Sequence, residues 1–208
     1  MTGAIYNVTW RAIQSEFWCG KSLARTHMNL TIPNTVSVKG IVFDVGGGES
    51  PSYLRILDTS ATDRLVVVDI NPYRGAIHIA GSVDALPLRT RNCDAVLCFN
   101  LLEHVLDHKA ALAEIWRVLR PSGTLYGYVP FLDAVHSDPS DHWRYMQDTL
   151  NVLLRQAGFA ADTVSTQGGL SLVMFDLLAP LWRWRPIRLI AASIALVADY
   201  LFASLRAL

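Results

Sequence analysis

The first residues that could do chemistry are three consecutive glycines in the stretch VFDVGGGESP, residues 42–51. Because glycine lacks a Cβ atom, the backbone N–H groups of Gly46, Gly47 and Gly48 can approach a ligand closely. Asp69 ends the next apolar run, where a carboxylate can accept hydrogen bonds from both hydroxyls of a ribose. This spacing predicts a site for an adenosine-type ligand. The alternative is an ordinary tight turn, with Asp69 capping the chain that follows it.

A dinucleotide-binding fingerprint is another interpretation of this glycine turn. The pattern G-x-G-x-x-G requires a glycine at position 51, where it permits close packing of a helix on a strand. This chain has Pro51 there, so a nicotinamide-dependent oxidoreductase is the weaker interpretation. Ser50 and Pro51 instead suit the N-cap and the first residue of a helix. A helix is therefore predicted to begin immediately after the glycines.

A second group of residues could accept a proton. His104, His136, Asp141 and His142 carry imidazole or carboxylate groups, which can act as general bases. His136 is the favoured base because it follows the fifth predicted strand, and the alternative is a histidine that only orders its loop. Asp138, Asp141 and His142 lack a recognised ligand spacing, so the sequence predicts no metal site.

Short runs rich in apolar and β-branched residues predict the strands that position these groups. Their apolar character is nearly continuous, which is typical of strands buried on both faces of a parallel sheet. The predicted strands are residues 41–45, 65–69, 76–80, 94–98 and 124–129. Helices are predicted at 51–57, 107–119 and 146–157, followed by a strand within 160–166. The alternation predicts an α/β fold with a doubly wound, mostly parallel sheet.

The carboxyl ends of parallel strands are the edge at which open α/β sheets bind ligands. Asp69 and Asp84 follow predicted strands, and Asn100, Glu103 and His104 follow another. We therefore expect these side chains to line or support one cleft. The link INPYRG after the second strand is too short for a full crossover helix, so an irregular connection is predicted there.

The charge and cysteine content argue against several classes of protein. Eighteen basic and eighteen acidic residues give a formal net charge of zero, so the chain lacks the basic footprint of a nucleic-acid-binding protein. Three cysteines without a C-x-x-C pair fit neither a disulfide framework nor a zinc cluster. The first twenty residues contain Arg11 and Glu16 and do not resemble a secretory signal. A cytoplasmic protein with reduced thiols is predicted.

The composition divides the chain into three predicted segments. Residues 1–39 are predicted to form a helical N-terminal cap, 40–169 the ligand-binding domain, and 170–208 a hydrophobic C-terminal extension.

The C-terminal extension is too apolar to be free in water. Its most apolar part, residues 189–205, is seventeen residues long and contains Asp199, whereas spanning a bilayer takes about twenty apolar residues. The preceding cluster WRWRPIR, residues 182–188, is typical of a membrane interface. The extension is predicted either to contact the inner face of the membrane peripherally or to pack against the protein core or a second copy in a homodimer.

Taken together, the ordered motifs resemble class I S-adenosylmethionine-dependent methyltransferases. The motifs that carry the resemblance are VFDVGGGESPSY, VVVDINP, GSVDALPL, CDAVLCFNLLEHVLDHKAALAEIWRVLRPSGTLYGYVPF and HSDPSDHWRYMQDTLNVLLRQAGF, over about residues 40–168. The resemblance implies a Rossmann-like methyltransferase fold and S-adenosyl-L-methionine as cofactor. The most similar branch often accompanies surface-polysaccharide or lipid-glycan pathways, so the implied acceptor is a hydroxyl or similar nucleophile of a small or lipid-linked molecule, such as a glycan.

The resemblance also implies roles for individual residues. It implies that Asp44 and Gly46 to Gly48 contact the methionine moiety, Asp69 the ribose, Asp84 with Ala85 the adenine region, and that Asn100 with Leu101 lies near the sulfonium. Ile70 is a further cofactor-binding candidate. The chain departs from the family pattern at Ser50, Ser122 and Met146, which replace two glycines and a threonine. The catalytic candidates remain His136, Asp141 and His104. A protein that binds the cofactor without turnover is the second alternative, because methyl transfer requires no obligatory catalytic residue.

Overall fold

The structure is a computed structural model. It describes residues 22–49, 51–71, 73, 77–133, 135–136, 139–160, 164–178, 181 and 184–206. The chain divides into two compact units. The first comprises Val36–Phe131 and Val135–Ser165, and the second comprises Met1–Thr35, Leu132–Ala134 and Thr166–Leu208. The predicted N-terminal cap and C-terminal extension therefore belong largely to one unit.

The first unit contains a five-stranded, entirely parallel sheet. Its strands are β1 (Gly40–Val45), β2 (Thr62–Asp69), β3 (His78–Ala80), β4 (Cys93–Phe99) and β5 (Leu119–Tyr128), in the spatial order β3-β2-β1-β4-β5. The last four residues of both β1 and β2 are buried, as expected of strands covered on both faces. The predicted α/β fold with a parallel sheet is confirmed, and β1 lies at its centre.

The described residues form five α-helices. They are α1 (Leu23–Thr35), α2 (His108–Val118), α3 (Gln147–Gln156), α4 (Leu170–Leu177) and α5 (Arg185–Arg206). The carboxylate of Asp107 caps α2 by accepting a hydrogen bond from the amide of Ala110 at 3.0 Å. Ala111, Leu112, Ile115 and Val118 of α2 are fully buried at helical spacing in the core cluster that includes Val96 and Cys98 of β4.

Two local predictions differ from the structure. The segment after the glycines forms a 3-10 turn, Ser52–Arg55, and Pro51 precedes it in an extended conformation. The reason is that only seven residues separate Ser50 from Asp58, and the turn is fixed by the burial of Tyr53. The predicted N-cap, Ser50, lies outside the described residues, as do 161–163 of the predicted strand 160–166. The described part of that segment forms no strand.

The second unit is a small helical assembly of α1, α4 and α5. Leu23, Leu172, Phe175, Ala192 and Ala195 form its buried cluster.

Partly buried carboxylates cap two helices of this unit. Asp199 of α5 accepts hydrogen bonds from the amides of Gly169 and Ser171 at the start of α4, at 2.7 and 3.0 Å. Asp176 of α4 accepts from the amides of Leu23 and Ala24 at the start of α1, both at 2.8 Å. Such charges stabilise helix N-termini, where amides lack partners within the helix. Asp199 is therefore a capping residue in this structure.

Within the described residues, no helix combines the length and apolarity needed to cross a bilayer.

Candidate functional site

The glycine turn follows β1 at the carboxyl edge of the sheet. Gly46 and Gly48 have φ of +73° and +68°, a left-handed conformation that favours glycine. A Cβ atom on Gly46 would lie 2.6 Å from Cδ1 of Leu101, and one on Gly47 would clash with the Asp44 carboxylate. A Cβ atom on Gly48 would meet no described atom within 4 Å. The turn is therefore backed by protein at Gly46 and Gly47 and open beside Gly48.

Asp44 lies behind this turn and is fully buried. The hydroxyl of Tyr53 lies 2.6 and 2.8 Å from its two carboxylate oxygens and donates its proton to them. Tyr53 is buried as well, with its ring edge-on to Phe99 at 4.8 Å. Asp44 was predicted to contact the methionine moiety, whereas Tyr53, in the stretch ESPSY, was not predicted to belong to the site. In the structure the pair supports the backbone of the turn.

Asp69 ends β2 and is bonded directly to the glycine turn. Its carboxylate accepts hydrogen bonds from the amide of Gly48 at 3.0 Å and from the amide of Asn71 at 2.9 Å. Each carboxylate oxygen can accept a further hydrogen bond, so capacity for two ribose hydroxyls remains. The side chain of the following residue, Ile70, is 56% exposed and offers an apolar surface beside Asp69.

His78 is a neighbour of the turn that the sequence analysis missed. It begins β3, and its Nε2 atom lies 3.4 Å from the carbonyl oxygen of Gly48. Its ring also contacts that of Tyr73, with centroids 5.6 Å apart. In the sequence, His78 is the polar residue of the apolar run AIHIA. A residue in such a run is expected to be buried in the sheet, so the pattern did not indicate a contact with the turn.

The loop after β3 carries the two residues assigned to the adenine. Asp84 and Ala85 are both exposed, and the amide of Ala85 donates to the carbonyl of Ser82 at 3.1 Å in a tight turn. The loop starts beside the ribose candidate, because the amide of Gly81 donates to the carbonyl of Asp69 at 2.9 Å. Asp84 and Ala85 are thus held in a loop that begins where β2 ends.

The end of β4 meets the glycine turn from the other side. Asn100 has φ of +52°, and its amide donates to the carbonyl of Tyr128 in β5 at 2.8 Å. The left-handed conformation redirects the chain, and the side chain of Leu101 packs against Gly46. Asn100 and Leu101 are therefore adjacent to the methionine end of the predicted cofactor site.

Glu103, His104 and His136 form a compact cluster just beyond Leu101. One ligand-type atom from each lies within 4.8 Å of the others. Glu103 has no exposed surface, and burial raises the pKa of its carboxyl group. Nε2 of His104 lies 3.8 Å from Oε1 of Glu103, and the rings of His104 and His136 meet edge to face with centroids 5.2 Å apart. The His136 side chain is 41% exposed, so the cluster is reached from its side.

Asp141 holds the loop that carries His136. Nη2 of Arg144 donates to the Asp141 carboxylate at 2.8 Å, and the backbone amide of His136 donates to it at 2.9 Å. The bond from Arg144 holds the pKa of Asp141 well below its usual range, which makes this carboxylate a weak base. Of the three catalytic candidates, His104 and His136 are in contact with each other, while Asp141 positions the backbone of His136.

The described cysteines take no part in this site. Cys93 and Cys98 are buried in β4 and carry free thiols. Burial raises the pKa of Cys93 to about 12, so its thiol is protonated at neutral pH.

These groups fit the nucleoside part of S-adenosylmethionine. The space beside Gly48 is open, and the Asp69 carboxylate next to it can accept further hydrogen bonds. Residues 43–127 match the family model described as a methyltransferase domain. This part of the chain is similar to methyltransferase domains. The cofactor that this match implies is S-adenosylmethionine.

One curated relative is similar to part of this chain. It is an uncharacterised 37.1 kDa protein in transposon TN4556 of Streptomyces fradiae, 35% identical over 100 residues. The aligned region is 40% of this chain and 29% of that protein. The chain thus spans less than a third of the curated relative that it matches.

Solved structures share the fold of this chain at low sequence identity. A candidate methyltransferase from Bacillus halodurans is 16% identical with a TM-score of 0.51, covering 66% of this chain and 68% of that one. A candidate methyltransferase of Haloferax volcanii, solved with the Trm112 methyltransferase activator, is 21% identical with a TM-score of 0.53, covering 76% and 80%. The 4+2 cyclase SpnF is 19% identical with a TM-score of 0.53, covering 66% and 58%.

Proposed function

We propose that this protein transfers a methyl group from S-adenosylmethionine to a hydroxyl or similar nucleophile of a small or lipid-linked acceptor, such as a glycan. The proposal depends on one observation: two sets of functional groups lie at the same edge of the sheet. The glycine turn with Asp69 suits the cofactor, and the cluster of Glu103, His104 and His136 suits an acceptor that must lose a proton.

The cofactor-binding part of this mechanism is assigned to the turn and the strand ends around it. Asp69 would accept the ribose hydroxyls, and the open backbone at Gly48 would let the ligand approach. Asn100 and Leu101 would bound the methionine end. Asp44 and Tyr53, both buried, keep the turn in its shape and so reduce the entropy lost on binding.

The chemical part of the mechanism needs little from the protein. When bound, S-adenosylmethionine supplies a methyl group on a positively charged sulfur that leaves as a neutral thioether. The chain therefore has to align the acceptor, exclude water and take up one proton. His136 is the proposed proton acceptor, because its ring is partly exposed and its backbone is fixed by Asp141.

Calorimetry with three ligands tests the cofactor assignment. Titration of the full chain with S-adenosylmethionine, its demethylated product and NAD should give binding of the first two and none of NAD. Binding of NAD alone would instead support the oxidoreductase alternative.

A methyl-transfer assay separates an enzyme from a binding protein. Extract fractions enriched in glycans, lipids or small metabolites are incubated with radiolabelled cofactor, and label should enter one fraction. The test is needed because SpnF is a cyclase with this fold, so the fold alone does not decide the reaction. Tight cofactor binding with no labelled fraction would favour the non-catalytic alternative.

We also propose that α5 contacts the inner, anionic surface of the cytoplasmic membrane. Four apolar side chains of α5, spaced as one face of a helix, are exposed to between 48% and 64%: Ile187, Ile190, Ile194 and Val197. Trp184, just before the helix, is 74% exposed, and three arginines lie between residues 183 and 188. This combination suits the headgroup region and would bring a lipid-linked acceptor near.

A further inference from the structure

The cluster of Glu103, His104 and His136 has a composition that general-base chemistry alone does not require. We propose that these three side chains bind a divalent transition-metal ion. One ligand atom from each lies within 4.8 Å of the other two, and the cluster opens to solvent on the side of His136. A bound metal with ligand distances of about 2.1 Å needs ligand atoms about 3 to 3.5 Å apart. Rotation of the partly exposed His136 side chain would bring its ring nitrogen closer to the other two ligand atoms.

The Glu103 carboxylate is the observation that points to a ligand. It has no exposed surface, and neither of its oxygens has a hydrogen-bond partner among the residues that the structure describes. A buried carboxylate without partners is costly, whereas a cation would supply the missing interaction for both oxygens. A glutamine or leucine would pack in the same volume at lower cost if the side chain had only a structural role.

The two histidines are oriented as metal ligands usually are. Nδ1 of His104 donates to the backbone carbonyl of Ser140 at 2.5 Å, which leaves the lone pair of Nε2 on the side of Glu103. A histidine whose second nitrogen donates to a carbonyl or carboxylate is the common outer-shell arrangement at metal sites. For His136, the Asp141 carboxylate lies 3.8 Å from Nδ1 and also holds the backbone amide.

The ligand set selects the class of metal. Two imidazoles and one carboxylate suit zinc and its neighbours in the first transition row, whereas magnesium and calcium favour all-oxygen sites. Three protein ligands leave at least one coordination position for a further oxygen.

This inference deepens the proposed function and, for its catalytic consequence, rests on it. The oxygen of an acceptor hydroxyl would occupy the open position, and the cation would lower the pKa of that hydroxyl. The O–H bond breaks and its proton leaves to water. The oxygen then bonds to the methyl carbon as the carbon–sulfur bond breaks, and its electron pair stays on sulfur. In the metal-bound form His136 is a ligand and not the base.

Metal binding is tested without reference to activity. The full chain, freed of metal by a chelator, is titrated with Zn²⁺ by calorimetry and with Co²⁺ by visible absorption, with Mg²⁺ as the comparison. One Zn²⁺ should bind per chain, and Co²⁺ should give ligand-field bands typical of mixed nitrogen and oxygen ligands. Glu103→Gln and His136→Ala should each weaken Zn²⁺ binding at least about a hundredfold. His142→Ala, a matched change at an exposed histidine of the same loop, should bind as the unmodified chain does.

Three outcomes overturn the inference: no binding, several weak sites, or equal losses in all three variants. Circular dichroism shows whether Glu103→Gln folds. If it does not, the Zn²⁺ affinity of His136→Ala alone tests the proposal, because a partly exposed side chain can be truncated with little effect on folding. S-adenosylmethionine titration of each variant separates the two proposals. If the chain binds S-adenosylmethionine but no metal, only the metal-site proposal is overturned. If the chelated chain loses methyl transfer and Zn²⁺ restores it, both the metal site and the proposed function are supported.

Discussion

Asp69 has an observed and a proposed task at the residue scale: its carboxylate bonds to the glycine turn, and we propose that it also accepts the ribose hydroxyls. Its bonds to the amides of Gly48 and Asn71 join the ends of β1 and β2, and the remaining acceptor capacity is the part available to a ribose. Loss of this side chain should therefore affect binding more strongly than loss of a surface contact would.

The first prediction concerns that side chain. Asp69→Ala should weaken S-adenosylmethionine binding by about 1.5 to 3 kcal/mol, because charge-assisted hydrogen bonds to the ribose are lost. Calorimetry at one salt concentration measures the change. Asp58→Ala is the matched control, since this aspartate is exposed and its carboxylate bonds to the nearby Ser60. An unchanged affinity in Asp69→Ala would remove the residue from the site.

The second prediction concerns His136. His136→Ala should lower turnover about a hundredfold or more with nearly unchanged cofactor affinity, since the lost interaction belongs to the transition state. Steady-state kinetics and calorimetry on the same preparation measure both quantities. Parallel losses of folding stability and cofactor affinity would indicate a residue that only orders its loop. A chelator that lowers the turnover of the unmodified chain equally would assign His136 to the metal.

Some of the contacts between these residues could be predicted from the sequence, and others could not. Gly48 and Asp69 were predictable partners, because both follow neighbouring parallel strands whose ends share an edge. Glu103 and His136 were not, because their meeting depends on a loop fixed by contacts such as those of Asp141 with Arg144. Irregular loops have no periodic pattern, so their side-chain contacts leave no signal in the sequence.

Helices and strands could be predicted where buried residues recur with a regular period. They were harder to predict where the length of the segment determines which structure forms. Helix α2 forms within the residues predicted for it, because the spacing of its apolar residues and the Asp107 cap both favour a helix there. The segment 51–57 lacked the length to form an α-helix, and its 3-10 turn depends on the buried contact of Tyr53 with Asp44. Ser122, which replaces a glycine of the family pattern, has φ of +67°, a conformation that glycine adopts without strain.

Helix α3 offers a prediction about capping. Its N-cap residue, Met146, is extended, 58% exposed, and makes no capping hydrogen bond. Met146→Thr should stabilise the protein by about 1 kcal/mol, because a hydroxyl can accept a bond from a first-turn amide. Urea unfolding followed by circular dichroism measures the gain.

A second substitution at the same site separates capping from other effects. Met146→Ala removes the same apolar side chain without adding an acceptor, and it should leave stability nearly unchanged. Equal stabilities for the threonine and alanine variants would mean that the first-turn amides of α3 are satisfied in another way.

At the scale of the whole molecule, α5 has two apolar faces and only one of them is covered. One face contributes Ala192 and Ala195 to the buried cluster with Leu23 and Phe175. The other presents the exposed stripe of Ile187, Ile190, Ile194 and Val197 described above. Removing the whole extension would uncover Leu23, so point substitutions in the stripe are the cleaner probe.

The last prediction concerns that stripe. The full chain should float with liposomes that contain anionic lipid, and Ile190→Glu with Ile194→Glu should abolish flotation. Each buried isoleucine is worth about 1.5 to 3 kcal/mol, and a carboxylate would also be repelled by anionic headgroups. Because both side chains are more than 60% exposed, the fold and S-adenosylmethionine binding should be retained.

Two comparisons make the flotation result specific to lipid. Val152→Glu adds a charge at a comparably exposed apolar position of α3, in the other unit, and should float as the unmodified chain does. Weaker flotation with neutral liposomes would assign part of the binding to the arginines near Trp184. An unmodified chain that ignores liposomes but sediments as a dimer, and becomes a monomer in the double variant, would show that a second copy covers the stripe.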